Sequence, residues 1–444
     1  MKNDQIPEVD EKLPVKKNLL LGFQHTIIAV LAAIPVPLLI AANSGLSSEE
    51  TSFFINAVIF GAGLSTLLAA LNIIPKTSPM IPMVMGANFS VVPIASTTLN
   101  DASSTEVGFQ IIAGSTMIVG IFCFLAAPFW IKLQRFFPPL VVGTNLIVLG
   151  VSLLPNTFHW LMGAKAHNLT ESMDLTPLLM ALTIFVFHLI ISKYFKGLLG
   201  NLTILIALVF GTLLAIFLGM MDFTPVGQEA WFGLNIPFHY GLPKFDLTAT
   251  ISFLIAMILG MVEISGTAMG IHDIVEKEMT KNQFSRVLKT LGIGTFISGL
   301  FNGVQPTAFV QNVGILDLSK IKSRFAIVTS GLMLLLIGFI PKFSALISAI
   351  PDPVLGGLGF AIFGIIIGSG INILKQVSFE GNQNMLIIGL SVGICMLPSV
   401  YPNFYANFPD IIQNILGSGI LAGSLTAITL NLFFNFKELR NGAN

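Results

Sequence analysis

The sequence predicts an all-α polytopic membrane protein of about 14 transmembrane spans, arranged as two inverted seven-span repeats. Three observations predict it. Of its 444 residues, 54% are hydrophobic and 10% charged, where ordinary soluble domains hold about 45–50% apolar and about 25% charged residues. Apolar runs recur along the whole chain, and one in each half is interrupted by proline and polar residues. The lysines and arginines fall between those runs in an alternating pattern that fixes their number and direction.

These features also exclude classes of function. A net charge of zero argues against a nucleic-acid partner, and no large soluble domain fits beside the spans. Cys123 and Cys395 lie inside apolar runs, which suits core packing rather than a disulfide or a metal. No nucleophile–base pair or metal-ligand cluster stands out, so an enzyme is not expected. The first apolar run, 19–42, is too long for a signal-peptide core and reads as span 1.

In order, residues 1–17 form a polar tail. Spans 1–7 follow at about 19–42, 53–74, 80–98, 106–128, 137–155, 173–192 and 199–220, within a first repeat of 18–222. A wetter connection, 223–246, carries Trp231 and Tyr240, which suit a membrane–water interface. Spans 8–14 follow at about 247–271, 287–303, 306–317, 324–349, 353–373, 383–398 and 412–436, within a second repeat of 247–436 and before a tail of 437–444. With the N-terminus inside, the tails and alternate loops hold 19 of the 22 basic residues, leaving only Lys165, Lys244 and Lys342 outside. That split predicts a cell-membrane protein with both termini cytoplasmic and 223–246 extracellular.

The two interruptions are 82–93, running Pro-Met-Val-Met-Gly-Ala-Asn-Phe-Ser-Val-Val-Pro, and 305–314, running Gln-Pro-Thr-Ala-Phe-Val-Gln-Asn-Val-Gly. Pro306 removes a backbone donor and biases Gln305 toward extended geometry. Short extended pieces holding Phe89 and Val310 are therefore expected in spans 3 and 10. The second ends in a new helix near Gln311. Lipid cannot satisfy broken backbone, so such breaks line a cavity, the pattern in which secondary transporters place a site.

Glu263 is the acid that lies well inside a span, where a carboxylate costs several kcal/mol unless paired or solvated. It reads as a substrate anchor that accepts ring N–H groups of a flat polar solute and can take up a proton; the alternative is a packing carboxylic acid. Gln311 carries donors and an acceptor that read an amide-like edge, the alternative being a helix cap. Asn312 is the better cap of the two. Phe89 and Val310 offer main-chain groups at the breaks, and Gln24 with His25, early in span 1, offers a relay or a satisfied core histidine. His188 and His272 are read as interface positions near span ends. Gly61, Gly63, Gly292, Gly294, Ser298 and Gly299 are read as close helix packing.

Residues 311–320, Gln-Asn-Val-Gly-Ile-Leu-Asp-Leu-Ser-Lys, resemble the signature of the nucleobase-ascorbate transporters. The resemblance extends to Gln24-His25, the 86–93 break, Pro138 to Thr144, Glu263 and Ile350 to Gly357. It implies a core of spans 1–4 and 8–11, a gate of spans 5–7 and 12–14, and uptake by symport. The coupling ion expected is a proton, with sodium as the alternative, and no other cofactor. By position, Glu263 and Gln311 resemble the side chains that hold the base, with Phe89 and Val310 at backbone contacts. His25, Gln24, Asn312 and Thr267 stand behind them or in coupling. Gln311 at the first signature position points to a purine (xanthine, urate, guanine or hypoxanthine), with a uracil permease as the alternative and an anion carrier or channel as a third reading. Thr267 departs from the aspartate or histidine that members often carry there, and Ser319 replaces a threonine. The partners expected are a nucleobase and the lipid bilayer, and a homodimer is left open.

Overall fold

The computed structural model describes residues 8–162, 175–319 and 321–441, with Val310 and Gln311 described through their backbone. Lys2, Lys165 and Lys320 of the charge pattern, and residues 442–444 of the C-terminal tail, lie outside the described residues. Nearly all regular structure is helical, and the one sheet among the described residues has two strands. Among the described residues eight helices are long and apolar enough to cross a membrane, and the pair Arg324–Gly338 and Pro341–Ser348, bent by 81°, makes a ninth if taken as one span. The remaining expected spans are shorter, less apolar or broken.

The chain divides into two compact units, residues 1–131 with 223–348, and 132–222 with 349–444. These match the expected core and gate span for span.

In the first unit, span 1 is a helix Val15–Ala33 continued by Pro35–Ser44. Pro35 and Pro37 cause the interruption, because proline supplies no N–H to the preceding turn. Span 2, Ser48–Ala70, starts from a reciprocal cap: Ser47 N–H donates to Glu50 Oε2 at 2.7 Å and Glu50 N–H to Ser47 Oγ at 3.2 Å. Span 4 is Thr105–Ala126, span 8 Leu247–Ile274 and span 9 Lys281–Leu300. Spans 4 and 9 meet at glycines: a Cβ on Gly120 would lie 2.8 Å from Gly292 O, and one on Gly292 2.7 Å from Gly120 O. Gly61, Gly63, Gly294 and Gly299 sit against neighbouring helices in the same way, as expected of packing residues.

The expected breaks are present. Span 3 contains strand β1, Met85–Ala87, a 3-10 turn Phe89–Val91 and a helix Val92–Asp101. Span 10 contains strand β2, Pro306–Ala308, and a helix Val310–Ser319. The strands pair antiparallel, with Met85 opposite Ala308, Gly86 opposite Thr307 and Ala87 opposite Pro306. Two elements of opposite direction, each third in its half, are what an inverted repeat requires.

One attachment was not foreseen. Within the polar tail, Glu8–Asp10 forms a short turn whose Val9 is 1% exposed. Arg324 joins it, with Nε–H donating to Asp10 Oδ1 at 2.6 Å and an Nη1–H to Ala70 O at 2.7 Å. Lys322 pairs with Glu8 at 3.0 Å and Glu276 at 2.7 Å, and Ser323 Oγ–H donates to Glu11 O at 2.6 Å. The exposed pairs contribute about 0–1 kcal/mol each. The buried Val9 and the two-pronged Arg324 are the firmer part.

The second unit holds Pro139–Met162, Leu175–Tyr194, Thr203–Phe217, Asp352–Leu374, Gln383–Val400 and Gly419–Asn441. Its first and fourth helices approach at Gly143 and Gly370, where a Cβ on Gly370 would lie 2.6 Å from Gly143 O. His188 corrects the interface expectation. It sits within Leu175–Tyr194, 6% exposed, with Nε2 3.3 Å from Ser192 Oγ, because its span runs further on the C-terminal side than hydropathy suggested. His272 is also buried, and its Nδ1–H donates to Lys277 O at 3.1 Å. Tyr240 is partly buried and stacks on Phe109 at 4.4 Å, whereas Trp231 is exposed as expected.

Candidate functional site

The site grows from one stripe of span 8. Phe253, Ala256, Gly260 and Glu263 stand at intervals of three, four and three residues, which places them on one helix face. Both breaks attach to that face. Gln305, the residue before β2, donates Nε2–H to Phe253 O at 2.8 Å. Asn88, the residue after β1, directs Nδ2 to Ala256 O at 3.5 Å. A Cβ on Gly260 would come within 2.9 Å of Asn88 Nδ2 and would push the amide aside. Further along, the Thr307 side chain of β2 faces the Glu263 carboxylate.

Glu263 is partly buried, and one turn on, Thr267 Oγ1–H donates to Glu263 O at 3.1 Å. Thr267 therefore satisfies the helix backbone and leaves the Glu263 carboxylate to other partners.

Phe89 and Val310 correct the expectation that both lie in extended pieces. Phe89 opens the 3-10 turn, and Val310 is the first residue of its helix. β1 stops after three residues because the next side chain caps a turn: Asn88 Oδ1 accepts from Ser90 N–H at 2.9 Å. Both residues thus sit at helix starts, the end of a helix whose backbone dipoles favour acceptor groups of a ligand. Gln311 follows as the second residue of the span 10 helix; its side chain lies outside those described.

Asn312 corrects the capping expectation. The helix starts three residues earlier than a cap at Asn312 would require, and the side chain, 2% exposed, reaches span 1 instead. His25, also 2% exposed, donates Nδ1–H to Asn312 Oδ1 at 2.8 Å. This bond joins residues 287 apart in sequence and ties span 1 to the start of the span 10 helix. Gln24, the neighbour of His25, is partly buried and its Oε1 has no partner among the described residues. The structure therefore brings together Glu263, Thr267, His25, Asn312 and the backbone of the two helix starts. Sequence reasoning missed Asn88, Gln305 and Thr307 as members of the assembly; their signal was neutral polar residues flanking a break.

Elsewhere in this unit a cavity of about 380 Å³ is lined by Glu49, Glu50, Glu106, Glu229, His239 and Tyr240 among others. Burial, and then the nearby Glu49, hold Glu229 above the usual carboxylate range. A carboxyl whose proton affinity is raised on folding stabilises the fold at low pH, and that contribution is lost as pH rises through its folded value. Glu229→Gln should therefore flatten the fall of thermal stability as pH rises through this range. Melting of the purified protein across pH checks it, and an unchanged slope contradicts it.

Comparison with known proteins gives the family and the fold. Residues 16–404 match the sequence profile of the Permease family. The uric acid transporter UacT of Escherichia coli (strain K12) is 32% identical over 430 residues, covering 96% of this chain and 88% of that protein. The xanthine permease of Bacillus subtilis (strain 168) is 32% identical over 420 residues, 94% of each. Among solved structures, the transmembrane domain of a cyanobacterium bicarbonate transporter, BicA, matches with a TM-score of 0.64 at 18% identity, over 95% of this chain and 100% of that one. That likeness is one of fold, and it carries the two inverted repeats and the core and gate. The chain is a multi-pass membrane transporter rather than an enzyme, and it belongs to the nucleobase-ascorbate transporter family.

Proposed function

We propose that this nucleobase transporter imports a purine base of the xanthine, urate, guanine or hypoxanthine class together with a proton. The observation that carries the reading is Glu263 on the span 8 stripe, in the same assembly as two helix starts. A flat purine offers ring N–H groups to a carboxylate and carbonyl oxygens to backbone N–H groups. Glu263 and Gln311 hold the base, and the main chain at Phe89 and Val310 supplies further contacts. His25, Gln24, Asn312 and Thr267 keep those groups in place. The relatives UacT and the B. subtilis xanthine permease support a purine over uracil by their names. The protein works in the cell membrane with both termini on the cytoplasmic side, the arrangement its basic residues favour.

Proton coupling follows from placing a carboxylate in the site, since binding of a neutral base and of a proton then act on the same group. Collapsing the proton gradient with sodium held constant should stop concentrative uptake of the purine. Uptake that persists without a proton gradient and follows sodium instead would reassign the driving ion.

A further inference from the structure

Gln305 occupies an unusual position, 0% exposed and bonded to three parts of the unit. Its side chain donates to Phe253 O on span 8 at 2.8 Å, and its own carbonyl accepts from Asn88 N–H, next to β1, at 2.9 Å. The following residue, Pro306, opens β2 opposite Ala87. Its Oε1 has no partner among the described residues. A buried acceptor without a protein partner is a local cost that a methionine or leucine of similar size would not carry. Fold stability alone does not account for an amide there.

We propose that Gln305 is a positioning residue for the nucleobase site, its amide setting the register between span 8 and the two breaks. The inference rests on the site reading given above for Glu263. Phe253 and Glu263 lie on one stripe of one continuous helix, so a register fixed at Phe253 is transmitted to the carboxylate. One residue of slip along a helix moves a group by about 1.5 Å and turns it by about 100°. Either change would take Glu263 away from Thr307 and from the helix starts behind which Asn312 and His25 are tied. Asn88 makes the corresponding attachment from the other break, but at 3.5 Å it is the weaker of the two. The amide orientation is set by its partner: Phe253 O is an acceptor, so the nitrogen faces it and the oxygen is the atom left over.

The test uses the full chain in cells, with Gln305→Met, which keeps the volume, and Gln305→Asn, which keeps the amide but shortens its reach. Surface amount, KM, Vmax and the order in which unlabelled bases compete are measured for a purine that the wild type takes up. Both variants should reach the membrane, because losing one hydrogen bond is offset in Gln305→Met by losing the orphan oxygen. KM should rise about tenfold, the loss of one well-placed hydrogen bond, with Vmax changed less than about twofold. The order of competing bases should change as well, which a purely structural role would not produce. Wild-type KM and an unchanged order overturn the inference. So does the absence of both variants from the membrane, which would make Gln305 a residue of the fold alone. A wild-type chain that takes up no purine overturns the site reading and this inference together, whereas variants that match an active wild type overturn this inference only.

Discussion

Glu263→Gln should leave the protein folded in the membrane and abolish accumulation of the base. The amide keeps the size of the side chain, exchanges one acceptor oxygen for an NH2 donor and removes the ionisable group. Thr267 donates to the backbone of Glu263 rather than to the carboxylate, so the helix itself loses no bond. A hydrogen bond to a charged group contributes about 1.5–3 kcal/mol, so affinity for the base should fall by about 10- to 100-fold. Concentrative uptake should fall further, since no proton remains to be carried. Purine accumulation by vesicles under an imposed proton gradient measures both effects. Wild-type accumulation in the variant would remove Glu263 from coupling.

Gly86→Ala should disable the same site from the other side. A Cβ at Gly86 would lie inside the contact distance of the Phe309 ring, which is 5% exposed and has nowhere to move. Phe309 N–H also donates to Val84 O at 3.2 Å, so moving the ring pulls on the strand pair. Overpacking of this kind costs about 1–3 kcal/mol. Here the strain falls on the three residue pairs that join the two breaks. Transport should be lost and the melting temperature lowered. Adding Phe309→Ala makes room for the new methyl, so the double variant should be more stable than the two single losses would sum to. Independent, additive losses would contradict the close contact between Gly86 and Phe309.

Much of the architecture was legible because membrane chemistry is restrictive. Apolar runs must be long, basic residues must alternate, and a proline-broken run at membrane depth must be sheltered, so spans 3 and 10 stood out before any contact was known. Glu263 was legible for the same reason, as an acid where acids are costly. The finer geometry was not. Phe89 and Val310 read as extended because nothing local shows that the strands end after three residues; at Phe89 the Asn88 cap decides it. Asn312 read as a cap because its partner, His25, is far away in the sequence. Arg324 and Asp10 are 314 residues apart, and no periodicity in a polar tail announces such a pair. Gln305 and Asn88 were ordinary polar residues until the stripe at 253, 256, 260 and 263 gave them a common face.

The central claim is transport of a purine base, and uptake measures it directly. Cells expressing the protein are offered radiolabelled xanthine, urate, guanine, hypoxanthine, uracil and sulfate, with and without a proton gradient. At least one purine should be concentrated severalfold over control cells when the gradient is present, and uracil and sulfate should not. Concentration of uracil or sulfate with no purine taken up would contradict the account.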